Sequence, residues 1–216
     1  MRIVDLTLPI TPQMPGVSID VARRLDEDGW NATTLTLYSH SGTHMDAPCH
    51  FLPEGNTIDR QDLGRLVGPA IVVDLSPAEP GQLLKVEDFA TVRDIVQPGV
   101  RLLLRTDWHK RYGTDEYRDA LPRISLELAE WLVERQVALL GVEPPSVADV
   151  NQLDELTAVH QTLFRGEVVI VEGLAHLDQL SQQHVEFVAL PLNVIGGDGT
   201  PVRAIAIERE AEFGAD

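Results

Sequence analysis

Seven short apolar runs, rich in Val, Ile and Leu, restrict the fold of this chain more than any other feature. Each run has the length and the β-branched content of a buried strand. The runs lie at residues 3–10, 70–75, 100–104, 137–142, 168–171, 185–192 and 202–207. We therefore expect a fold dominated by a β-sheet.

Three helices are predicted between these strands. Residues 86–96 carry apolar side chains at helical spacing and end before Pro98 and Gly99. Ser125 can cap a second helix that ends near Gln136, and a third helix is expected over residues 153–163. Strand-helix-strand units in the middle of the chain indicate an α/β or α+β layered architecture. The composition does not shift abruptly along the chain, so a single domain is predicted over residues 1–216.

Composition restricts the partners and the compartment. The formal charge is −17, from 34 acidic and 17 basic residues, and such a field repels phosphate backbones and anionic membranes. We therefore expect neither a nucleic acid nor a membrane as a partner. No run approaches the roughly 20 apolar residues of a membrane span, and the first ten residues do not resemble a secretory signal. With a single cysteine, Cys49, these features predict a cytoplasmic protein.

The segment at residues 40–50, HSGTHMDAPCH, combines imidazole and carboxylate side chains at regular spacing. Residues of one parity lie on the same face of an extended chain. The residues of that parity are His40, His44, Asp46 and His50. Neutral imidazoles and carboxylates suit Zn²⁺ first, with Mn²⁺ and Fe²⁺ close behind. A helix is disfavoured by Gly42 and Pro48, and the alternative to a metal site is a polar loop that happens to contain histidines.

Such a cluster needs further ligands from elsewhere in the chain. His160 lies in the third predicted helix, and Glu172 ends an apolar strand, where an unpaired buried carboxylate would cost several kcal/mol. From spacing alone, His160 could equally be an ordinary helix residue, and Glu172 a carboxylate at the solvent rim. The three remaining histidines lack such neighbours and are predicted to be surface residues: His109, His176 and His184.

The polar segment at residues 108–121 is longer than the usual connection of about 4 to 6 residues. Long connections often cover functional sites, but they can also be plain surface excursions. The sequence leaves both interpretations open.

The spacing His-x-Gly-Thr-His-x-Asp-x-Pro-x-His over residues 40–50 resembles the signature of the cyclase family of metal-dependent hydrolases. This family includes kynurenine formamidase and isatin hydrolase, and the resemblance extends to LLLRTDW, VHQTLFRGEVVIVEGL and LPLNVIGGDGTPVRAIA. It implies a swivelling β/β/α fold with a mixed sheet and flanking helices, assembled as a homodimer or homotetramer. It also implies five metal ligands, an acid/base residue, His50, and two backbone-shaping residues, Gly42 and Thr43. The implied ligands are His40, His44, Asp46, His160 and Glu172.

The resemblance implies a metal-dependent, arylformamidase-like amidohydrolase. Hydroxide held on one or two Zn²⁺ or Mn²⁺ ions would cleave an amide, lactam or ester bond of a small molecule, with His50 transferring the proton. Two alternatives remain: a non-haem Fe(II) oxygenase that uses His44, Asp46 and His160, or a binding protein without turnover.

The chain departs from the family pattern at two places. Residues 14–17, Met-Pro-Gly-Val, lack the aromatic residue usual there, and Glu143-Pro144-Pro145 replaces an Asp-Thr-Pro sequence. Neither place carries an implied metal ligand. Both predict a pocket that is not tuned to N-formylkynurenine.

Overall fold

The computed structural model describes residues 1–209, so residues 210–216 of the predicted domain lie outside the described part of the chain. Its strands are β1 (Arg2–Asp5), β2 (Ser18–Arg23), β3 (Ala32–Thr36), β4 (His44–Asp46), β5 (Val67–Asp74), β6 (Leu83–Leu84), β7 (Arg101–Arg105), β8 (Arg123–Ile124), β9 (Leu139–Val142), β10 (Val169–Glu172), β11 (His184–Pro191) and β12 (Gly199–Glu208). Its α-helices are α1 (Leu25–Asp28), α2 (Leu63–Leu66), α3 (Asp115–Asp119), α4 (Leu126–Glu134) and α5 (Leu153–Arg165). Short 3-10 turns occupy Pro48–His50, Ile58–Arg60, Val86–Phe89, Trp108–Arg111 and Leu177–Gln179.

Eight strands form one mixed sheet in the order β1-β12-β11-β5-β7-β9-β10-β4. The neighbours from β5 through β10 are parallel, and the remaining pairs are antiparallel. Strand β4 pairs with β12 as well as with β10, so the sheet closes on itself. All seven apolar runs of the sequence contribute a strand to this sheet, and the predicted α/β class is confirmed.

The central strands are buried on both faces, which explains why they are apolar without alternation. Leu102 and Leu104 of β7 belong to one apolar cluster, whereas Leu103 between them belongs to another. Helices α4 and α5 cover the first cluster. The second cluster contains side chains of β4, β11 and β12, and Cys49 packs against it as a small hydrophobic side chain.

The helix predictions at Ser125 and at residues 153–163 are confirmed, and the Ser125 hydroxyl caps α4 by accepting a hydrogen bond from Leu128 N at 3.0 Å. The helix predicted at residues 86–96 is wrong. That segment is a 3-10 turn at Val86–Phe89 followed by further turns, closed by bonds such as Val92 N to Phe89 O at 3.0 Å. Apolar residues three or four positions apart also suit successive turns, so their spacing did not separate the two structures.

Two small pairings were missed by the sequence analysis: the hairpin of β2 and β3, and the parallel pair of β6 and β8. The hairpin side chains are largely exposed, so they lack the apolar pattern of a buried strand. Among residues 1–209, no helix has the length and apolar character needed to cross a bilayer.

Candidate metal centre

Strands β4 and β10 bring three of the predicted ligands to one face of the sheet. Glu172 lies directly opposite His44 in the antiparallel register, and Asp46 follows two residues after His44. Directly opposed residues, and residues two apart on a strand, share a face. Because α5 packs on this face, His160 is added from the helix side.

The four side chains contact one another through nitrogen and carboxylate oxygen atoms. His44 Nε2 lies 3.2 Å from Glu172 Oε2 and 3.5 Å from Asp46 Oδ1. His160 Nε2 lies 3.5 Å from Glu172 Oε1 and 3.7 Å from Asp46 Oδ2. All four side chains are almost fully withdrawn from solvent. Both imidazoles therefore face both carboxylates in a dry environment.

Backbone carbonyls fix which imidazole nitrogen faces this group. Nδ1 of His44 lies 2.9 Å from Gly42 O, and Nδ1 of His160 lies 2.7 Å from Leu156 O. A carbonyl can only accept, so each Nδ1 carries a proton and donates it. In the neutral ring, Nε2 then presents a lone pair toward the carboxylates, as is typical of histidines that bind a metal.

These distances fit a divalent ion. Two nitrogen or oxygen ligands held at about 2.0 to 2.2 Å from one tetrahedral ion lie about 3.4 Å apart. The four separations above bracket that value, and the donor set is one that borderline divalent ions prefer. The geometry therefore suggests a metal ion at this site.

Two further predicted residues, His40 and His50, lie beside Asp46. His40 Nδ1 is 2.8 Å from Asp46 Oδ1, and the His40 and His50 rings stack with their centroids 4.1 Å apart. The side-chain exposure rises from 10% at His40 to 28% at His50. The centre therefore opens toward solvent on the His50 side.

The route from residue 40 to residue 50 differs from the predicted extended chain. Only His44–Asp46 forms a strand, whereas His40 lies in a turn and His50 lies in the 3-10 turn Pro48–His50. Gly42 turns the chain with φ +61, and Pro48 begins the 3-10 turn, so both residues break the strand. The segment is therefore not extended at either end, contrary to the prediction, although all four side chains still converge.

Asp198, which was not predicted from the sequence, lies in the turn between β11 and β12. Its Oδ2 is 3.2 Å from His40 Nε2 and 3.7 Å from His50 Nδ1. Asp198 lies between glycines in IGGDGT, a signal typical of an ordinary turn. Only the register of β12 against β4 shows that this turn borders the centre.

The pKa values of these two histidines are shifted in opposite directions, upward for His40 and downward for His50. Burial disfavours the charged form of His40, but hydrogen bonds and charges from Asp46 and Asp198 outweigh it and raise the pKa to about 9. Burial lowers the pKa of His50, and the positive charges of His40 and His160 lower it further against the opposing effect of Asp46 and Asp198. His50 is therefore neutral at pH 7, as a proton acceptor must be.

Aromatic rings flank this opening. Phe51 stacks on His160 with a centroid distance of 4.3 Å and meets the His50 ring edge to face at 4.5 Å. Tyr38 lies 5.5 Å from the His40 ring and is 55% exposed. The sequence analysis found no aromatic residue at positions 14–17, but Tyr38 packs against Gly16 from the neighbouring segment. An aromatic ring therefore borders that region after all.

Two of the three histidines that were assigned to the surface are placed differently. His109 is 8% exposed at its side chain, and its Nδ1 lies 2.9 Å from Glu143 Oε1. His176 is partly buried beside it, with ring centroids 5.2 Å apart. The surface prediction was wrong for both residues and is confirmed for His184.

The segment at residues 108–121 is anchored in the protein rather than loose on its surface. Trp108, Tyr117 and Leu121 are buried in an apolar cluster that also contains Leu8 and Met14. Because these side chains contribute to the core, residues 108–121 are not a plain surface loop.

The closed mixed sheet and its buried imidazole and carboxylate groups define an α/β enzyme with a candidate centre for a divalent metal ion. The chain belongs to the family described as Putative cyclase, whose model matches residues 4–149. It is 34% identical to a kynurenine formamidase of Bacillus cereus over 209 residues, which cover 94% of this chain and 95% of the relative. The recognition of this family from the sequence is confirmed.

Solved structures agree with this assignment. Isatin hydrolase A from Ralstonia solanacearum superposes with a TM-score of 0.86 at 28% identity, covering 96% of this chain and 92% of that protein. A structure described as a potential metal-dependent hydrolase with cyclase activity has a TM-score of 0.79 at 26% identity, covering 97% of this chain and 98% of that protein. The chain is thus a hydrolase of the cyclase family, and its fold is that of the isatin hydrolases.

Proposed function

We propose that this protein hydrolyses an amide or lactam bond attached to an aromatic ring, with Zn²⁺ or Mn²⁺ as its metal. The observation that carries the proposal is the buried group of two carboxylates and two imidazoles, beside which His50 is partly exposed to solvent. By their names, the relatives act on a formamide and on isatin, which supports an amide or lactam carbonyl as the target.

The residues that would hold the metal are His40, His44, Asp46, His160 and Glu172, for one or two ions. An ion bound there would polarise the carbonyl of the substrate and lower the pKa of a bound water to about 7. Burial favours the neutral form of Glu172, but hydrogen bonds from His160 and His44, present when each ring also carries a proton on Nε2, outweigh it and lower its pKa. A bound ion would take the place of those Nε2 protons. Glu172 is therefore anionic at pH 7, as a metal ligand must be.

His50 would move the proton between the attacking water and the leaving nitrogen. Its lowered pKa keeps the ring neutral before attack, so it can accept a proton from the water and then donate it to the nitrogen. Asp198, 3.7 Å from His50 Nδ1, would stabilise the charged ring between these two transfers. Breaking the C–N bond then releases an amine and a carboxylate.

Tyr38 and Phe51 would bind the aromatic part of the substrate. Both rings lie beside the histidines at the open side of the centre. Offset or edge-to-face contacts between rings contribute about 0.5 to 1.5 kcal/mol each. An aromatic amide would therefore be preferred over an aliphatic one.

Metal dependence provides the first test. Purified protein should contain at least about half an equivalent of zinc or manganese per chain, and Asp46→Ala should lose the metal bound at this centre, because Asp46 faces His40, His44 and His160. The matched control is His184→Ala, which removes an exposed histidine far from these contacts and should retain the metal. Full metal content in Asp46→Ala would refute the site.

The second test identifies the substrate. Initial rates should be measured for N-formylkynurenine, isatin and small cyclic amides and esters, with and without oxygen. We expect N-formylkynurenine to be cleaved below the about 10⁴ to 10⁸ M⁻¹s⁻¹ typical of native enzyme and substrate pairs, because residues 14–17 and 143–145 depart from the family pattern. A value inside that range would identify a true kynurenine formamidase, and turnover that requires oxygen would refute hydrolysis.

A further inference from the structure

A second group of imidazole and carboxylate side chains lies between the turns Trp108–Arg111 and Leu177–Gln179. His109, His176 and Asp178 each place a ligand atom within 4.8 Å of ligand atoms of the other two. The proposed hydrolysis uses none of these residues, so their convergence needs a separate explanation.

His109 is oriented as metal-binding histidines usually are. Its Nδ1 lies 2.9 Å from Oε1 of the fully buried Glu143. The other oxygen of Glu143 accepts hydrogen bonds from Thr106 N at 2.8 Å and Trp108 N at 3.1 Å, so the carboxylate cannot easily rotate away. A carboxylate that accepts the Nδ1 proton leaves a lone pair on Nε2, which is the arrangement found behind many metal ligands.

Asp178 contributes an oxygen that the protein itself does not satisfy. Its Oδ2 binds Lys110 Nζ at 3.0 Å, whereas Oδ1 is buried and has no hydrogen-bond partner among residues 1–209. His109 Nε2 lies 3.6 Å from Oδ1, which is too long for a hydrogen bond. That distance is close to the about 3.4 Å expected between two ligands of one tetrahedral ion. An ion between them would satisfy an oxygen whose burial is otherwise unfavourable.

His176 completes the group from a backbone conformation that is uncommon for residues other than glycine. Its φ is 60, in the left-handed region that residues other than glycine seldom adopt. Such conformations persist where the surrounding structure holds them, often at functional sites. His176 also lines a cavity of about 590 Å³ together with Leu37 and Pro201, so this member of the group borders open space.

We propose that His109, His176 and Asp178 form a second binding site for a divalent metal ion, with Glu143 as the residue that orients His109. Two imidazoles and one carboxylate suit Zn²⁺, Co²⁺ or Ni²⁺. The Lys110 ion pair occupies only Oδ2 of Asp178, so it leaves Oδ1 available. A bound ion would hold the Trp108–Arg111 turn against the Leu177–Gln179 turn, and this site is independent of the proposed hydrolysis.

The test compares two histidine-to-asparagine variants of the full chain. His176→Asn removes one ligand, and asparagine tolerates the positive φ better than most residues, so the fold should be retained. His184→Asn removes an exposed histidine outside the group and is the matched control. Metal-free samples of each are titrated with Co²⁺ while bound metal per chain and tryptophan fluorescence are recorded. Trp108, next to His109 in the chain, reports on an ion at this site by quenching.

We expect the wild type and His184→Asn to bind about one equivalent more Co²⁺ than His176→Asn, and to show quenching that His176→Asn lacks. The affinity at this site should fall at least about 100-fold, since even changes behind a ligand weaken metal binding 10- to 100-fold. Asp178→Asn should show the same loss, and circular dichroism checks that each variant is folded. Equal Co²⁺ binding and equal quenching in the wild type, His176→Asn and Asp178→Asn would overturn the proposal. Loss of metal from the first centre would not change this result, so the two proposed sites can be refuted independently.

Discussion

The side chains of the first centre differ chiefly in how far water can reach them. His44, Asp46, His160 and Glu172 are buried, so their charges and lone pairs interact in a low dielectric. His50 keeps a quarter or more of its surface in solvent. The four buried side chains are suited to binding an ion, whereas the partly exposed His50 can contact a substrate. We therefore assign metal binding to the buried residues and proton transfer to His50.

His50→Ala should therefore separate chemistry from metal binding. We expect the variant to keep most of its metal, because the four buried residues remain, and to lose about 10² to 10⁴ in kcat, the usual contribution of a positioned acid or base. Metal analysis and kcat on the same preparation test both parts. If metal is lost together with activity, His50 is a ligand, and if kcat is unchanged, His50 has no part in the reaction.

Tyr38 should act on substrate binding more than on chemistry. Tyr38→Ala removes a ring 5.5 Å from His40 and should raise KM for aromatic substrates about threefold to tenfold, with little change for an aliphatic amide. Tyr38→Phe keeps the ring and is the matched control. Equal effects of Tyr38→Ala on aromatic and aliphatic substrates would contradict a stacking role.

At the level of residues, the sequence predicted those site residues that are close together in the chain or that carry a recognisable pattern. His160 and Glu172 were candidates from the sequence, but only the family resemblance selected them as ligands, because no spacing rule joins them to residues 40–50. Tyr38 was missed although it lies two residues before His40, because a single aromatic residue carries no pattern of its own. Asp198 was missed, because it is brought to the centre only by the pairing of distant segments. His109 and His176 were misassigned for the same reason.

The approach of β10 to the segment before β4 depends on a glycine. Gly173 has φ +67, and a Cβ there would lie 2.4 Å from Gly42 O, next to the strand that carries His44. Thr43 reinforces the approach, since its hydroxyl donates to Gly173 O and accepts from Leu8 N at 2.8 Å. Strand register and these contacts together hold His44 opposite Glu172.

Gly173→Ala should consequently destabilise the protein and weaken metal binding. The positive φ alone costs about 1 to 2 kcal/mol for a residue with a Cβ, and the collision with a backbone oxygen adds to it. Gly29→Ala is the matched control, because Gly29 has φ +80 and no atom within 4 Å of the added Cβ among the described residues. The free energy of unfolding, measured in urea, and the metal affinity should both fall more in Gly173→Ala than in Gly29→Ala. Equal stability losses in the two variants would show that the close approach is unimportant.

The elements were predictable where burial governs the residue pattern. The apolar runs of β5, β7, β9 and β10 could be read directly, because both faces of these strands are covered. Most residues of the β2–β3 hairpin are exposed to solvent, so the hydrophobicity of the sequence does not indicate that these two strands pair.

On the scale of the whole molecule, assembly into a homodimer or homotetramer stays a prediction. Large apolar side chains are exposed on the chain, among them Trp30 and Leu35 on or next to the β2–β3 hairpin, and Ile195 before β12. Burying such surface would favour association, whereas the charge of −17 opposes it, so association should strengthen as salt screens the repulsion. Light scattering at low and moderate salt tests this, and a monomer under both conditions would contradict it.

The two ends of the described chain meet at Glu208, which should make the stability of the molecule sensitive to acid. Glu208 Oε1 accepts hydrogen bonds from Ser181 N at 2.6 Å and Gln182 N at 2.9 Å, and Oε2 pairs with Arg2 at 2.8 Å. Burial favours the neutral carboxyl, but the bonds from Ser181, Gln182 and Arg2 outweigh it and lower the pKa of Glu208 below 4.5. The stabilisation is thus complete above the unfolded pKa and is lost as the pH falls through the lower folded value.

Glu208→Gln should accordingly destabilise the protein near neutral pH and have less effect in acid. At pH 7 the loss should be about 1 to 3 kcal/mol, the usual contribution of hydrogen bonds to a charged group. As the pH falls below the unfolded pKa and on through the lower folded value, the wild-type carboxylate also becomes protonated, so the difference between the two proteins should shrink. Urea unfolding from pH 7 to pH 3 measures it, with Glu186→Gln as a control that removes an exposed ion pair to Arg209 and should change little. A difference that stays constant over this range would show that the charge of Glu208 does not stabilise the joined ends, because only an ionised group produces this dependence on pH.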